Sequence, residues 1–282
     1  MTRDAVAGAP ARSRRLDGRR VVSALLFIPL LYVIIRYMPP MAFFGLVAVA
    51  SLLAVREFYT LSFNPSERST ATWLGLALTA VLLSSFQWPE VLPLGLVLFL
   101  SIAAVMGLRL LAPRSPADGL SETTVLVFGV LYIGLTMGHL LWMRALPDGV
   151  FLIFFVALVT WAGDTGAYYA GIAFGQTKLA PVISPNKTLE GLIGGCLLAV
   201  AAAVAARYSF LPVFTAAEAV CLGILLTLAG LAGDLSESML KRSAGVKDSG
   251  ALIPGHGGVL DRLDSLLFTA PTYYYYMTLV KG

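Results

Sequence analysis

The chain has 282 residues, of which 58% are hydrophobic and 13% are charged, and its formal net charge at pH 7 is +4. The mean hydropathy of +0.82 excludes a soluble globular protein and predicts an integral membrane protein. The two cysteines form no Cys-x-x-Cys pair, which argues against a disulfide framework or a zinc site.

The first 20 residues form a basic tail with six arginines and two aspartates. A basic start before an apolar run resembles a secretory signal or a twin-arginine export signal. However, the apolar run ends at Arg36-Tyr37-Met38-Pro39-Pro40 rather than at a small-residue cleavage site, and further apolar runs follow. We therefore interpret residues 1–20 as a cytoplasmic tail that sets the topology.

Apolar runs separated by Pro- and Gly-containing breaks predict nine membrane-spanning helices. These predicted spans are Val21–Met38, Met41–Leu61, Thr72–Phe86, Leu92–Leu111, Thr123–Met143, Val150–Ala173, Leu189–Arg207, Ala216–Leu240 and Leu263–Val280. The expected fold is an all-α, polytopic helical bundle. We expect N-terminal transmembrane helices over residues 21–149 and a catalytic transmembrane region over residues 150–282, with a polar loop at 234–264.

The distribution of basic residues predicts a cytoplasmic N-terminus under the positive-inside rule. With that orientation, the outer side of the membrane holds four of the 20 Lys and Arg residues, namely Arg36, Arg144, Arg207 and Lys281. The polar segments discussed next then fall at cytoplasmic helix ends or in cytoplasmic loops.

Asp164 lies inside the sixth predicted span, among small residues that permit close helix packing. An acid at that depth is a candidate site residue, because burying an unpaired carboxylate in a membrane is costly. The alternative is a structural aspartate that is hydrogen-bonded between two helices.

A second polar segment precedes the seventh span and contains Lys187 and Glu190. Ser184 before Pro185 is typical of a helix start, and Thr188 is an alternative N-cap one turn later. In either case Lys187 stands beside free backbone N–H groups, which predicts an anion site.

The end of the eighth span places Asp234, Ser238 and Lys241 on one helix face, since they are spaced i, i+4 and i+7. The membrane-embedded Asp234 needs a compensating cation. A neighbouring Lys or Arg would serve, but we favour a metal ion because a second acidic cluster follows.

Asp261 and Asp264 form that second cluster at the start of the ninth span. Carboxylates from two helices, with room for water and phosphate oxygens, suit Mg²⁺. Ordinary helix capping is the alternative for one of this pair, with Asp264 the better candidate.

The loop between the two clusters is rich in glycine and predicts a phosphate-binding segment. A plain solvated basic loop is the alternative. His256 could order the loop or contact a phosphate. The charged residues around it are Lys241, Arg242, Lys247, Asp248 and Arg262.

This polar loop resembles the signature of the phosphatidate cytidylyltransferases (CDP-diacylglycerol synthases). The matching positions are Ser238-x-Leu240-Lys241-Arg242, Lys247-Asp248-x-Gly250 and Ile253-Pro254-x-His256-Gly257-Gly258-Val259-x-Asp261-Arg262-Leu263-Asp264. The segments Asp164–Tyr168 and Ser184–Gly191 are also similar to this family, so the resemblance covers roughly residues 160–280.

The resemblance implies an enzyme that joins CTP and phosphatidic acid into CDP-diacylglycerol and pyrophosphate. It implies Mg²⁺ as cofactor, held by Asp234 and Asp261, and suggests K⁺ as a second cation. It also indicates a homodimer with no nucleic-acid partner. We expect a bacterial inner membrane location with the active site facing the cytoplasm. The implied catalytic residues are Asp234, Lys241, Arg242, Lys247, Asp248, His256, Asp261, Arg262 and Asp264. The implied substrate-binding residues are Asp164, Ser184, Lys187, Thr188, Glu190 and Ser238.

Two other functions compete with this interpretation. An ion-coupled membrane transporter would use Asp164 and Asp234 as coupling sites, but it predicts symmetric halves that the sequence lacks. A CTP-dependent lipid kinase would release CDP rather than pyrophosphate.

Overall fold

The computed structural model describes residues 18–63, 68–111, 116–250, 252 and 257–281. His256 and nearly all of the predicted basic tail lie outside the described residues. In chain order, the elements are α1 (Gly18–Tyr37), α2 (Pro40–Ser62), α3 (Arg68–Gln87), α4 (Leu94–Leu111), α5 (Pro116–Gly129), α6 (Thr136–Ala145), α7 (Gly149–Phe174), β1 (Lys178–Ala180), β2 (Ser184–Thr188), α8 (Leu189–Ser209), α9 (Ala216–Ser243) and α10 (Leu260–Tyr276).

The all-α prediction is confirmed. A π-helical turn, Val130–Leu135, joins α5 to α6, and a second one, Met277–Lys281, extends α10. Counted this way, the described part of the chain contains nine continuous helical segments, which correspond in order to the nine predicted spans. Within the residues whose side chains the structure describes, seven segments are long and apolar enough to cross a membrane, namely α2, α3, α4, the joined α5 and α6, α7, α8 and α9. The chain is therefore an integral membrane protein.

A short antiparallel hairpin of β1 and β2 departs from the expected helices. The prediction of Ser184 as a helix N-cap is wrong, because Ser184–Thr188 is a strand. Pro185 has no backbone N–H to donate, and a strand of a two-stranded hairpin tolerates this because one of its edges has no partner strand. Thr188 is the N-cap of α8, where its Oγ1 accepts the backbone N–H of Gly191 at 3.1 Å.

Close helix packing builds the region around this hairpin. Helix α7 packs most extensively on α8, and α9 packs on both α8 and α10. Gly166 of α7 has no room for a larger residue, since an added Cβ would lie 2.5 Å from the carbonyl oxygen of Gly194 in α8. Helix α10 also contacts α2 and α6, and so joins the earlier helices to the later ones.

Candidate active site

A cavity of about 570 Å³ opens between α7, α8, α9, the start of α10 and the hairpin. Its walls combine apolar side chains with both signs of charge, which is unusual inside a bundle of apolar helices. The charged residues that line it are Asp164, Lys178, Lys187, Asp234, Asp261, Arg262 and Asp264.

Lys187 of β2 forms an ion pair with Asp234 of α9 in this cavity. Ser238, one turn further along α9, donates its hydroxyl to Asp234 Oδ1 at 3.3 Å. Burial would lower the pKa of Lys187, but the carboxylates of Asp234, Asp164 and Asp264 outweigh burial and raise it. Lys187 therefore carries its positive charge at neutral pH. Of the two alternatives for Asp234, the structure contains the ion pair, and the metal ligand stays a prediction.

Asp164 and Asp264 bring two more carboxylates to the same cavity. The Asp164 side chain is exposed where α7 faces this space. Its Oδ1 lies 3.5 Å from the hydroxyl of Ser265 on α10. Asp164 therefore lines the cavity and also makes a weak interhelical hydrogen bond. Asp264 accepts the backbone N–H of Ser265 at 2.6 Å.

Asp261 connects the cavity to the polar loop. Its Oδ1 accepts from Lys241 Nζ at 2.6 Å. Its Oδ2 accepts the backbone N–H groups of Ser249 at 3.0 Å and Gly258 at 2.8 Å, and lies 2.9 Å from the Ser249 hydroxyl. Asp261 therefore holds loop amides that precede α10, rather than the first N–H groups of the helix.

Two acids without a predicted role complete the surroundings of Asp261. Glu237 is fully buried and forms an ion pair with Lys241, one helical turn away on α9. Glu57 of α2 accepts the backbone N–H groups of Val259 at 3.0 Å and Leu260 at 2.9 Å. In the sequence, Glu57 is marked only as a charged residue near the end of an apolar span, which does not indicate its contact with α10.

The other predicted residues on the hairpin side support its shape. Glu190 accepts the backbone N–H groups of Gln176 at 3.0 Å and Thr177 at 3.2 Å, which fixes the turn that enters β1. Arg242 donates to the carbonyl oxygens of Ile183 at 3.4 Å and Val246 at 2.9 Å. These contacts connect the hairpin to the end of α9.

The predicted site residues thus separate into two groups within the described part of the chain. Those that line the cavity are Asp164, Lys187, Thr188, Asp234, Asp261, Arg262 and Asp264. Those that do not line it are Ser184, Glu190, Ser238, Lys241, Arg242, Lys247 and Asp248. Sequence reasoning missed the lining residues Tyr168, Lys178 and Asn186, although all three lie within or beside the segments that it selected.

The carboxylates of the cavity are oxygen ligands of the kind that Mg²⁺ prefers. Within the described residues, no group of three or more His, Cys, Asp or Glu side chains is arranged to hold a metal ion. Mg²⁺ commonly takes only one or two protein carboxylates and completes its shell with water and substrate phosphates. Asp234 and Asp261 satisfy that smaller requirement because both line the cavity.

Comparison with known proteins identifies the family. Residues 18–280 match the cytidylyltransferase family. The uncharacterized protein YnbB of Escherichia coli (strain K12) is 34% identical over 242 residues, which cover 82% of this chain and 77% of that protein.

Two relatives bear the name phosphatidate cytidylyltransferase. The one from Haemophilus influenzae is 46% identical over 137 residues, which cover 46% of this chain and 48% of the relative. The one from Bacillus subtilis (strain 168) is 41% identical over 160 residues, which cover 56% of this chain and 59% of the relative. The chain thus spans about half the length of these two relatives. Because the family match extends over almost all of its residues, the chain belongs to the cytidylyltransferase family.

Proposed function

We propose that this protein is a phosphatidate cytidylyltransferase, an enzyme that converts CTP and phosphatidic acid into CDP-diacylglycerol and pyrophosphate. Family membership and the names of the relatives support this reaction. The observation that carries it is the cavity, in which three basic and four acidic side chains meet between apolar helices.

The lining of the cavity suits both substrates. Lys178, Lys187 and Arg262 can hold phosphate oxygens of the triphosphate and of the lipid headgroup. Ile172, Leu226 and Leu231 provide an apolar wall for the lipid end. A lipid substrate could therefore enter sideways from the bilayer, while the nucleotide arrives from the aqueous side.

The reaction needs positioning more than it needs a strong base. An oxygen of the lipid phosphate attacks the α-phosphorus of CTP, and the bond from that phosphorus to the β-phosphate oxygen breaks, so pyrophosphate leaves. The attacking phosphate is already anionic near neutral pH. The main obstacle is repulsion between two anions, which fixed cationic side chains reduce. Lys187 stays charged for this role because the surrounding carboxylates raise its pKa.

Asp234 and Asp261 are the proposed holders of Mg²⁺, and K⁺ is proposed as a second cation at the same centre. When bound, Mg²⁺ would neutralise triphosphate oxygens and the charge that develops on the departing pyrophosphate. Ser238 orients Asp234, and Lys241 together with the loop amides orients Asp261. Such supporting contacts fix the ligand geometry that a metal site requires.

The proposed location is the inner membrane of a bacterium, with the cavity open to the cytoplasm. The bacterial relatives support this location. The excess of Lys and Arg on one side of the predicted spans supports this orientation. We also propose a homodimer, on the basis of the family resemblance.

The test uses purified protein in detergent with phosphatidic acid, Mg²⁺ and CTP labelled at its α-phosphate. We expect label in the lipid fraction, release of pyrophosphate, and loss of both with EDTA or with Asp261→Asn. Folded protein that labels no lipid would contradict the proposal. Transfer of label from the γ-phosphate of CTP to a lipid alcohol would indicate a lipid kinase instead.

A further inference from the structure

Glu57 joins α2 to the polar loop across 192 or more positions of the sequence. One carboxylate oxygen, Oε1, accepts the N–H of Val259 at 3.0 Å. The other, Oε2, accepts the N–H of Leu260 at 2.9 Å and lies 3.1 Å from the hydroxyl of Ser249. The half-buried Glu57 therefore holds three groups of the loop and of the start of α10.

The start of α10 needs this carboxylate. Val259 is the N-cap residue, and its own side chain cannot cap the helix. The first N–H groups of any helix lack partners within the helix, and a negative charge near them is favourable. Glu57 supplies both the acceptors and the charge from another helix.

The glycines of the loop make room for Glu57. The three atoms nearest to a Cβ added at Gly250 all belong to the Glu57 side chain, with Oε1 at 2.8 Å and Cδ at 3.0 Å. A Cβ added at Gly258 would overlap both Ser249 Oγ and Glu57 Oε2. Neither glycine has a positive φ, so the close approach of Glu57, rather than backbone conformation, explains why small residues stand there.

Glu57 and Asp261 share the same short stretch of backbone. The N–H of Gly258 is donated to Asp261, whereas the next two N–H groups are donated to Glu57. The Ser249 hydroxyl lies within hydrogen-bonding distance of both carboxylates. Displacing Glu57 would therefore release the backbone that orients Asp261 toward Lys241 and the cavity.

We propose that Glu57 is a positioning residue of the active site, which acts through the loop and Asp261 without touching substrate. The kinetic consequence rests on the proposed cytidylyltransferase function. The structural consequence, a looser loop, is independent of that function, so the two can fail separately.

The first experiment compares wild type with Glu57→Gln, which keeps the side-chain shape but replaces one acceptor oxygen with an NH₂ group. Hydrogen–deuterium exchange of the segment 257–262 should accelerate about tenfold or more, because a backbone hydrogen bond from Val259 or Leu260 to a charged acceptor is lost. Exchange in α3 and α4 should stay unchanged. In the labelled-CTP assay, kcat should fall about 10- to 100-fold, as for other residues that orient a ligand, while the KM for CTP changes less.

Glu218→Gln is the matched control, because Glu218 also accepts a backbone N–H at a helix start, that of Thr215 at the beginning of α9. Glu218 lies outside the cavity lining of the described residues. We expect this control to lower thermal stability without changing loop exchange or kcat. Equal kinetic losses in the two variants would reduce Glu57 to a general stabilising role and overturn the proposal. If Glu57→Gln accelerates loop exchange but the wild-type protein has no detectable activity, the proposed function is contradicted, while the effect of Glu57 on the loop stands.

A double-mutant cycle tests the contact itself. Gly250→Ala should reduce kcat and accelerate loop exchange in wild type, because its Cβ displaces the Glu57 carboxylate. In a Glu57→Ala background the same change should have little further effect, since the clash is gone. If Glu57→Ala does not fold, the comparison is made in Glu57→Ser, which also removes the clashing atoms. Equal effects of Gly250→Ala in both backgrounds would overturn the proposed contact.

Discussion

Lys187 at the end of the hairpin forms an ion pair with Asp234 of α9, and this pair connects two polar segments that lie far apart in the sequence. Both side chains are partly buried, with relative exposures of 29% and 21%. Breaking a pair of this kind leaves one charge without its partner.

Replacing Lys187 with Met tests the role of this pair. The variant should lose about 1–3 kcal/mol of stability, because Asp234 is left near the carboxylates of Asp164 and Asp264 without a cation. Partial exposure of the pair to solvent keeps this loss moderate. Activity should fall by a larger factor than stability explains, because the cation proposed for a phosphate is also removed. Thermal unfolding in detergent and CTP-dependent lipid labelling measure the two effects.

Lys281→Met provides the comparison, because Lys281 also pairs with a glutamate, Glu218, and both lie outside the cavity lining of the described residues. We expect a smaller loss of stability and unchanged kinetics. Parallel kinetic losses in both lysine variants would count against a substrate role for Lys187.

The two proposed metal ligands should differ in one measurable respect. Asp234→Asn and Asp261→Asn should both abolish Mg²⁺-dependent activity. Only Asp261→Asn should also accelerate hydrogen exchange in the loop, because Asp261 alone accepts the N–H groups of Ser249 and Gly258. Near-normal Mg²⁺-dependent activity in either variant would refute its assignment as a ligand.

Lys241 is the cation shared by the buried Glu237 and by Asp261, and this arrangement can be tested by substitution. Lys241→Met would leave Glu237 and Asp261 without the cation they share, so we expect a loss of about 3–5 kcal/mol. Adding Glu237→Gln should recover part of that stability but none of the activity, because Asp261 still lacks its partner. Apparent melting temperatures of the single and double variants measure the recovery. No recovery would mean that Glu237 is not the charge that Lys241 compensates.

Much of the fold could be predicted from hydropathy, because a membrane span must be long, apolar and helical. The π-helical turn at Val130–Leu135 and the hairpin could not, since no period in the apolar residues marks them. Ser184-Pro185 carried a genuine helix-start signal, but the hairpin contacts and the cap at Thr188 overrode it.

The candidate site was predicted in part because its residues cluster in the sequence. Asp234, Asp261 and Lys187 stand within polar segments, and the structure brings them to one cavity. Glu57 could not be found in this way, because its role depends on α2 packing against α10, a tertiary contact between distant segments. Glu237 was equally hidden, since one more charge in a charged segment gives no sign of full burial.

The packing of α7 against α8 should control the shape of the cavity. Gly166→Ala places a Cβ 2.5 Å from the carbonyl oxygen of Gly194 and 2.8 Å from the Cβ of Leu198, so the helices must separate. We expect about 1–3 kcal/mol of destabilisation, as for other overpacked positions. Activity should also fall, because Gly163 and Ala167 on the same helix line the cavity.

Gly107→Ala is the matched control, since an added Cβ in α4 meets nothing within 4 Å. Alanine favours a helix over glycine by about 1 kcal/mol, so this variant should be as stable as wild type or slightly more stable. The two melting temperatures should therefore move in opposite directions. If Gly166→Ala is as stable and as active as Gly107→Ala, close contact between α7 and α8 is not what sets the cavity walls.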